Sequence, residues 1–148
     1  MDQKNQGNQK AGSILMGAGT QGLDRKNLIF GVFSAGYIAG IFLFAGSSAV
    51  ATLSAFNPYS LLHIPLYGVL TFLLVFSILP FRLRGMWAGM ATGRLVIAGL
   101  IALTVGMADE YHQSFIPGRE ASLTDVFLDG CGIAFTILLF FRLYKKGK

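Results

Sequence analysis

A polar segment between two long apolar stretches carries most of the groups in this chain that are capable of acid–base chemistry. Residues 108–125 contain two adjacent acids, a histidine, a glutamine, an arginine after a Pro-Gly pair, and two further acids. Five of the seven acidic residues lie between Asp109 and Asp129. Because carboxylates and imidazoles are the usual general acids and bases, we expect any chemistry to occur there.

The surrounding composition is that of a membrane protein. The 148 residues are 53% hydrophobic and 13% charged, with a mean hydropathy of +0.59, whereas soluble domains contain about 25% charged residues. The length allows one small domain. The net charge of +5 does not indicate nucleic-acid binding, because the basic residues flank apolar stretches as they do in membrane proteins.

Four apolar stretches are long enough to cross a bilayer as helices, which takes about 20 residues each. They cover approximately residues 28–50, 61–79, 86–108 and 123–143. Since lipid cannot satisfy the hydrogen bonds of an open strand, the predicted fold class is all-α, an integral membrane bundle of four transmembrane helices. Residues 1–27 are rich in glycine, glutamine, asparagine and lysine, and are predicted to form a flexible cytoplasmic tail.

The basic residues predict the orientation of the bundle. All of them except Arg119 lie before the first span, around the start of the third, or at and beyond the end of the fourth. Four crossings place these three groups on one side, which the positive-inside rule identifies as the cytoplasm. The prediction is therefore N-in/C-in, with outer loops near 51–60 and 109–122. An alternative is a signal peptide cleaved near residues 49–51, which would leave three spans and the same outer polar segment.

This topology brings polar residues from three helices to the outer end of the bundle. The second helix enters from outside with His63 and Tyr67, which share a face because they are four residues apart. The third helix ends there with Asp109, and the fourth begins there with Asp125. Asp129 is one turn further along, about 6 Å deeper. The sequence therefore predicts one polar cavity in the outer leaflet.

Two groups of residues are candidates for this site. The catalytic candidates are side chains that could exchange protons or could orient a group that exchanges them: His63, Asp109, Glu110, His112 and Asp129. The substrate-binding candidates are side chains that could hold a phosphate or donate hydrogen bonds, together with one further acid: Tyr67, Gln113, Arg119 and Asp125. Asp129 is the strongest indication of a functional site, because a charge deep in a span costs about 2.5–3.5 kcal/mol and needs an interior partner. Asp125 also fits a capping box with Ser122, which would give it a structural role.

The spacing of these residues resembles the signature of the VanZ-like family. The matching positions are a D-E-x-x-Q run, a P-G-R turn, two later acids and a glycine: Asp109, Glu110, Gln113, Pro117, Gly118, Arg119, Asp125, Asp129 and Gly132. His63 and Tyr67 resemble that family's second-helix motif, although its frequent Asp-Lys pair is replaced here by Tyr59 and Ser60. The resemblance implies a VanZ-like four-helix transmembrane domain over residues 28–148, in a small bacterial membrane protein of the cell envelope. The founding member of that family is associated with teicoplanin resistance.

Two functions from different classes fit this site. The first is an enzyme acting at a phosphoester of membrane lipid or lipid-linked head groups, with Arg119 on the phosphate and His63 or His112 exchanging protons. The second is a non-enzymatic envelope protein that binds a cell-wall intermediate or a glycopeptide antibiotic. An Asp109→Asn substitution discriminates between them, because only the enzyme needs a titratable group.

The sequence assigns no cofactor and no metal ligands. Two histidines and several carboxylates could hold zinc or manganese, but no spacing matches a known ligand motif, so a metal site is a third alternative. Glycines four residues apart at 36 and 40, and again at 85, 89 and 93, predict close helix packing. This packing is expected within the bundle, with a homo-oligomer as the alternative.

Overall fold

A computed structural model describes residues 24–47, 61–79 and 88–146, without the side chains of 88–90 and 144–146. These residues form four helices: α1 Arg25–Ala45, α2 His63–Ile78, α3 Ala88–Gln113 and α4 Leu123–Lys146. Because the described residues contain no strand, the predicted all-α bundle is confirmed. The loop predicted at 51–60, the residues at 59 and 60, the candidate cleavage site and most of the N-terminal tail lie outside the described residues.

Three of the four helices are long and apolar enough to cross a membrane, and the fourth is apolar but shorter. The candidate spans are Arg25–Ala45, Ala91–Gln113 and Leu123–Leu143. Helix α2 has 16 residues, which corresponds to about 24 Å at 1.5 Å per residue, against a hydrocarbon core of about 30 Å. The chain is thus a multi-pass membrane protein in which the second predicted helix is shorter than the other three.

Helix α2 lies at the centre of the bundle and packs against all three other helices. Its side chains Tyr67, Leu70 and Val75 are fully buried. The outer faces of α1, α3 and α4 expose large apolar side chains, among them Phe33, Leu100, Phe127 and Phe135. This arrangement suits a lipid environment, because apolar surface on the outside of a bundle is stable there.

Polar side chains from α1 and α3 satisfy the carbonyl groups at the end of α2. The side-chain amide of Asn27 donates to the carbonyls of Phe76 and Leu79, at 2.8 and 2.6 Å, and the Arg94 guanidinium donates to that of Ile78 at 3.1 Å. The last carbonyls of a helix have no partner within it, and a cation is favoured there by the helix dipole. The charge inside the third predicted span therefore has a structural role.

Close approach between helices depends on glycines other than those that the sequence predicts. A Cβ on Gly132 of α4 would overlap the Ile64 carbonyl oxygen of α2. One turn along, Thr136 donates its hydroxyl to the Gly68 carbonyl at 3.2 Å. By contrast, no described atom lies within 4 Å of a Cβ built on Gly36 or Gly40. The predicted close packing through the glycines of α1 is therefore wrong for the described residues.

A Gly132→Ala substitution is expected to destabilise the bundle, whereas Gly130→Ala is its matched control. The new methyl group at 132 must push the α2 backbone away, and overpacking of this kind costs about 1–3 kcal/mol. A Cβ at Gly130 meets no atom within 4 Å, so that variant should gain up to about 1 kcal/mol from helix propensity. Unfolding by denaturant in detergent measures both changes. Equal effects of the two substitutions would contradict the close approach.

Candidate functional site

Polar side chains from α2, α3 and α4 meet at one end of the bundle. The site includes the start of α2, the end of α3 and the start of α4, which the antiparallel arrangement brings together. Six of the nine residues singled out from the sequence are at most 4% exposed: His63, Tyr67, Asp109, Glu110, Gln113 and Asp129. Their burial in an otherwise apolar bundle sets this end apart from the rest of the described structure.

A histidine–carboxylate pair joins α2 to α4. His63 Nδ1 and Asp129 Oδ1 are 2.8 Å apart, so Nδ1–H donates to the carboxylate when the ring carries its proton there. His63 Nε2 is 3.9 Å from Asp125 Oδ2, one turn earlier on α4. The other oxygen of Asp129 lies against Gly106 of α3, where a Cβ would collide with it. Asp129 is therefore fully buried between three helices and has the interior partner that its position requires.

A second array links a carboxylate to the arginine through a glutamine. Gln113 Nε2 donates to Asp109 Oδ2 at 2.9 Å, and Arg119 Nη2 donates to Gln113 Oε1. The hydroxyl of Tyr67 is 3.5 Å from the same Asp109 oxygen. Asp109 and Gln113 are four residues apart on α3 and so share a face. Gly118, with φ +79°, reverses the direction of the chain after α3. Gln113 thus holds the carboxylate and the guanidinium at a fixed separation.

Glu110 organises the start of α4. Its Oε2 accepts a hydrogen bond from the Ser122 backbone N–H at 2.7 Å, and the Ser122 hydroxyl accepts one from the Asp125 N–H at 3.3 Å. Only half of the predicted capping box therefore forms, because Glu110 takes the place that the Asp125 carboxylate would have. The Asp125 side chain is left facing His63, and its Oδ1 has no hydrogen-bond partner among the described residues.

His112 lies apart from these arrays. Its ring packs against Phe42 of α1, with centroids 5.5 Å apart at an angle of 71°. Its Nδ1 is buried without a hydrogen-bond partner in the described structure. The structure thus gathers His63, Asp109, Glu110 and Asp129 closely and places His112 toward α1.

A cavity of about 390 Å³ opens beside the polar cluster. Its polar end is formed by His63, Asp109, Gln113 and Arg119. Its apolar wall is formed mainly by α1, with one residue from α2: Gly36, Tyr37, Gly40, Ile41, Phe44, Ala45 and Leu66. The contribution of α1 was not predicted from the sequence, although its glycine pair is the signal: glycines 36 and 40 carry no side chain, which leaves the space between α1 and α2 open.

Comparison with known proteins supports the resemblance noted in the sequence. The model of the VanZ/LLP1 family matches residues 21–144, which include all four helices up to the last two residues of α4. No curated protein and no solved structure matches the chain. The family match and the arrangement of the signature residues agree, and the chain belongs to the VanZ/LLP1 family.

Proposed function

We propose that the cavity binds a membrane lipid or lipid-linked molecule and that the polar end acts on the phosphoester of its head group. The observation that carries the proposal is the division of one cavity into a charged end and an apolar wall. An amphiphile fits such a cavity with its head group among the polar side chains and part of its chain along α1. A soluble substrate would gain nothing from the apolar wall.

Arg119 is the residue that would hold the phosphate. A guanidinium presents a planar set of donors that suits phosphate oxygens, and Arg119 borders the cavity. Its bond to Gln113 fixes one edge of the guanidinium and so limits the directions in which the other donors point. Gln113 is in this scheme a positioning residue, because it acts through Arg119 and Asp109.

Asp109 is the proposed general base. Its Oδ1 is buried without a hydrogen-bond partner among the described residues, while Oδ2 is held by Gln113. In hydrolysis the oxygen of a water forms a bond to phosphorus as the bond to the leaving oxygen breaks. Asp109 takes the proton from that water and returns it to the leaving oxygen. His63 lies at the same end of the cavity, and His112, packed on Phe42, takes no part in this scheme.

The proposed location is the bacterial cytoplasmic membrane, with the site on the extracytoplasmic side. The distribution of basic residues supports this orientation, because every basic group except Arg119 belongs to the opposite end or to the termini. The site would then meet head groups of the outer leaflet. Specificity would come from the helix ends and the 114–122 connection.

Asp109→Asn is expected to abolish turnover while leaving the fold intact. The amide keeps the shape of the carboxylate but cannot accept the proton, so we expect a loss of about 10²–10⁴-fold. Full-length protein in vesicles of bacterial lipid extract is incubated, and head groups are quantified by mass spectrometry. Glu120→Gln, an exposed acid of the same connection, is the control. Unchanged head groups with the unsubstituted protein would contradict catalysis, and retained lipid in that case would favour the binding role.

Gly40→Leu is expected to block the cavity without destabilising the bundle. A Cβ at position 40 meets no described atom within 4 Å, so the larger side chain can extend into the cavity it borders. Gly93→Leu is the matched control, because it has equal space but lies away from the cavity. We expect turnover to fall at least tenfold only for the first variant, with similar melting temperatures for both. Equal turnover of the two variants would contradict substrate binding along α1.

The orientation predicts which side of the membrane exposes Glu120. In a Cys131→Ser background, Glu120→Cys should react with a membrane-impermeant maleimide added to intact cells, because residue 120 is exposed in the connection between α3 and α4. Lys148→Cys should react only after the cells are permeabilised. The reverse pattern would place the site on the cytoplasmic side.

A further inference from the structure

We propose that His63, Glu110 and Asp125 bind a divalent transition-metal ion, Zn²⁺ or Mn²⁺, with Asp129 as the group that positions the imidazole. One potential ligand atom from each of the three residues lies within 4.8 Å of the other two. The three come from the start of α2, the end of α3 and the start of α4, so the site exists only in the folded bundle. No sequence motif indicates it, because the ligands are separated by 47 and 15 positions.

Both carboxylate ligands keep an oxygen that no described group contacts by a hydrogen bond. Glu110 is 4% exposed, and one of its oxygens, Oε1, has no hydrogen-bond partner among the described residues, as is also true of Asp125 Oδ1. Buried polar atoms nearly always have partners. Two carboxylates that each keep such an oxygen and that approach one imidazole therefore indicate a group that the side chains are arranged to bind.

The charges of the site also favour a cation. The two arrays at this end contain four carboxylates and one arginine: Asp109, Glu110, Asp125 and Asp129 with Arg119. The imidazole of His63 is neutral when it ligates a metal, so three negative charges of these groups then stay unbalanced. Buried carboxylates either take up protons or pair with cations, and one divalent ion neutralises two of the three charges without protonation of those acids.

The pair formed by His63 and Asp129 has the arrangement found around metal-bound histidines. Such a histidine donates its second N–H to a carboxylate, which fixes the tautomer and the direction of the ligating nitrogen. The 2.8 Å bond at Nδ1 does this here, and it directs Nε2 toward Asp125 Oδ2, 3.9 Å away. Asp129 is thus a positioning residue for the ligand rather than a ligand itself.

The spacing and the ligand types suit zinc or manganese. Zinc ligands lie about 2.0–2.2 Å from the ion and therefore about 3.3–3.6 Å from one another, so donor shifts of about 1 Å close the present triangle. One imidazole and two carboxylates match the preferences of these ions. Three protein ligands leave a coordination position for water or for a phosphate oxygen. A role of the ion in turnover rests on the proposed function, whereas binding of the ion does not.

Metal content tests the proposal directly. Full-length protein is purified in detergent through a tag without histidines and without chelator, and its zinc and manganese are measured by mass spectrometry and by Zn²⁺ titration. We expect about one ion per chain. Glu110→Gln and Asp125→Asn should lower the affinity at least tenfold, and Asp129→Asn should lower it about 10–100-fold. The Gln side chain at 110 can still accept the bond from Ser122, so that variant should fold.

Asp109→Asn is the matched control, because it removes a buried charge from the same end without removing a ligand. It should keep its metal while losing turnover, which separates failure of the metal site from failure of the proposed function. Zn²⁺ should also raise the melting temperature of the unsubstituted protein but not that of Glu110→Gln. The proposal is overturned if the unsubstituted protein binds less than about 0.1 ion per chain under titration, or if Asp109→Asn loses metal as fully as Glu110→Gln.

Discussion

The bond between His63 and Asp129 is the interaction on which the polar end of this bundle depends. A fully buried carboxylate in an apolar bundle needs a donor, and here that donor comes from a different helix. The bond can form only because Gly132, one turn beyond Asp129, lets the two backbones meet at Ile64. Helix packing and the polar site therefore depend on the same contact, since a side chain at 132 would push apart the helices that carry His63 and Asp129.

The connection between α3 and α4 completes the site from the outside. Arg119 is tied to the end of α3 through Gln113, and Ser122 is tied to the same helix through Glu110. Two side chains of the last turn of α3 therefore bind the connection and the start of α4. Because Glu110 accepts the bond from Ser122, Asp125 does not complete the capping box and its side chain faces His63 instead.

Hydropathy was sufficient to predict the four helices and the end at which the polar residues meet, because bilayer thickness limits where apolar stretches can begin and end. It was not sufficient for contacts between distant segments. Asn27 was expected in a flexible tail, yet it caps α2, some 50 residues away. His112 lies three residues after Asp109, a spacing that allows contact along a helix, but its ring packs against Phe42 of another helix instead. The spacing of Gly36 and Gly40 predicted tight packing, but these glycines line a cavity. The reason is their distance from the neighbouring helices, which no local sequence pattern encodes.

The 16 residues of α2 also determine the depth of the polar cluster. Helix α2 packs against all three other helices, and at about 24 Å it is about 6 Å shorter than an average hydrocarbon core. Its first residue, His63, meets Asp129, which lies about 9 Å along α4 from Leu123 at 1.5 Å per residue. The cluster is therefore recessed between the longer helices, and protein rather than acyl chains surrounds its buried side chains.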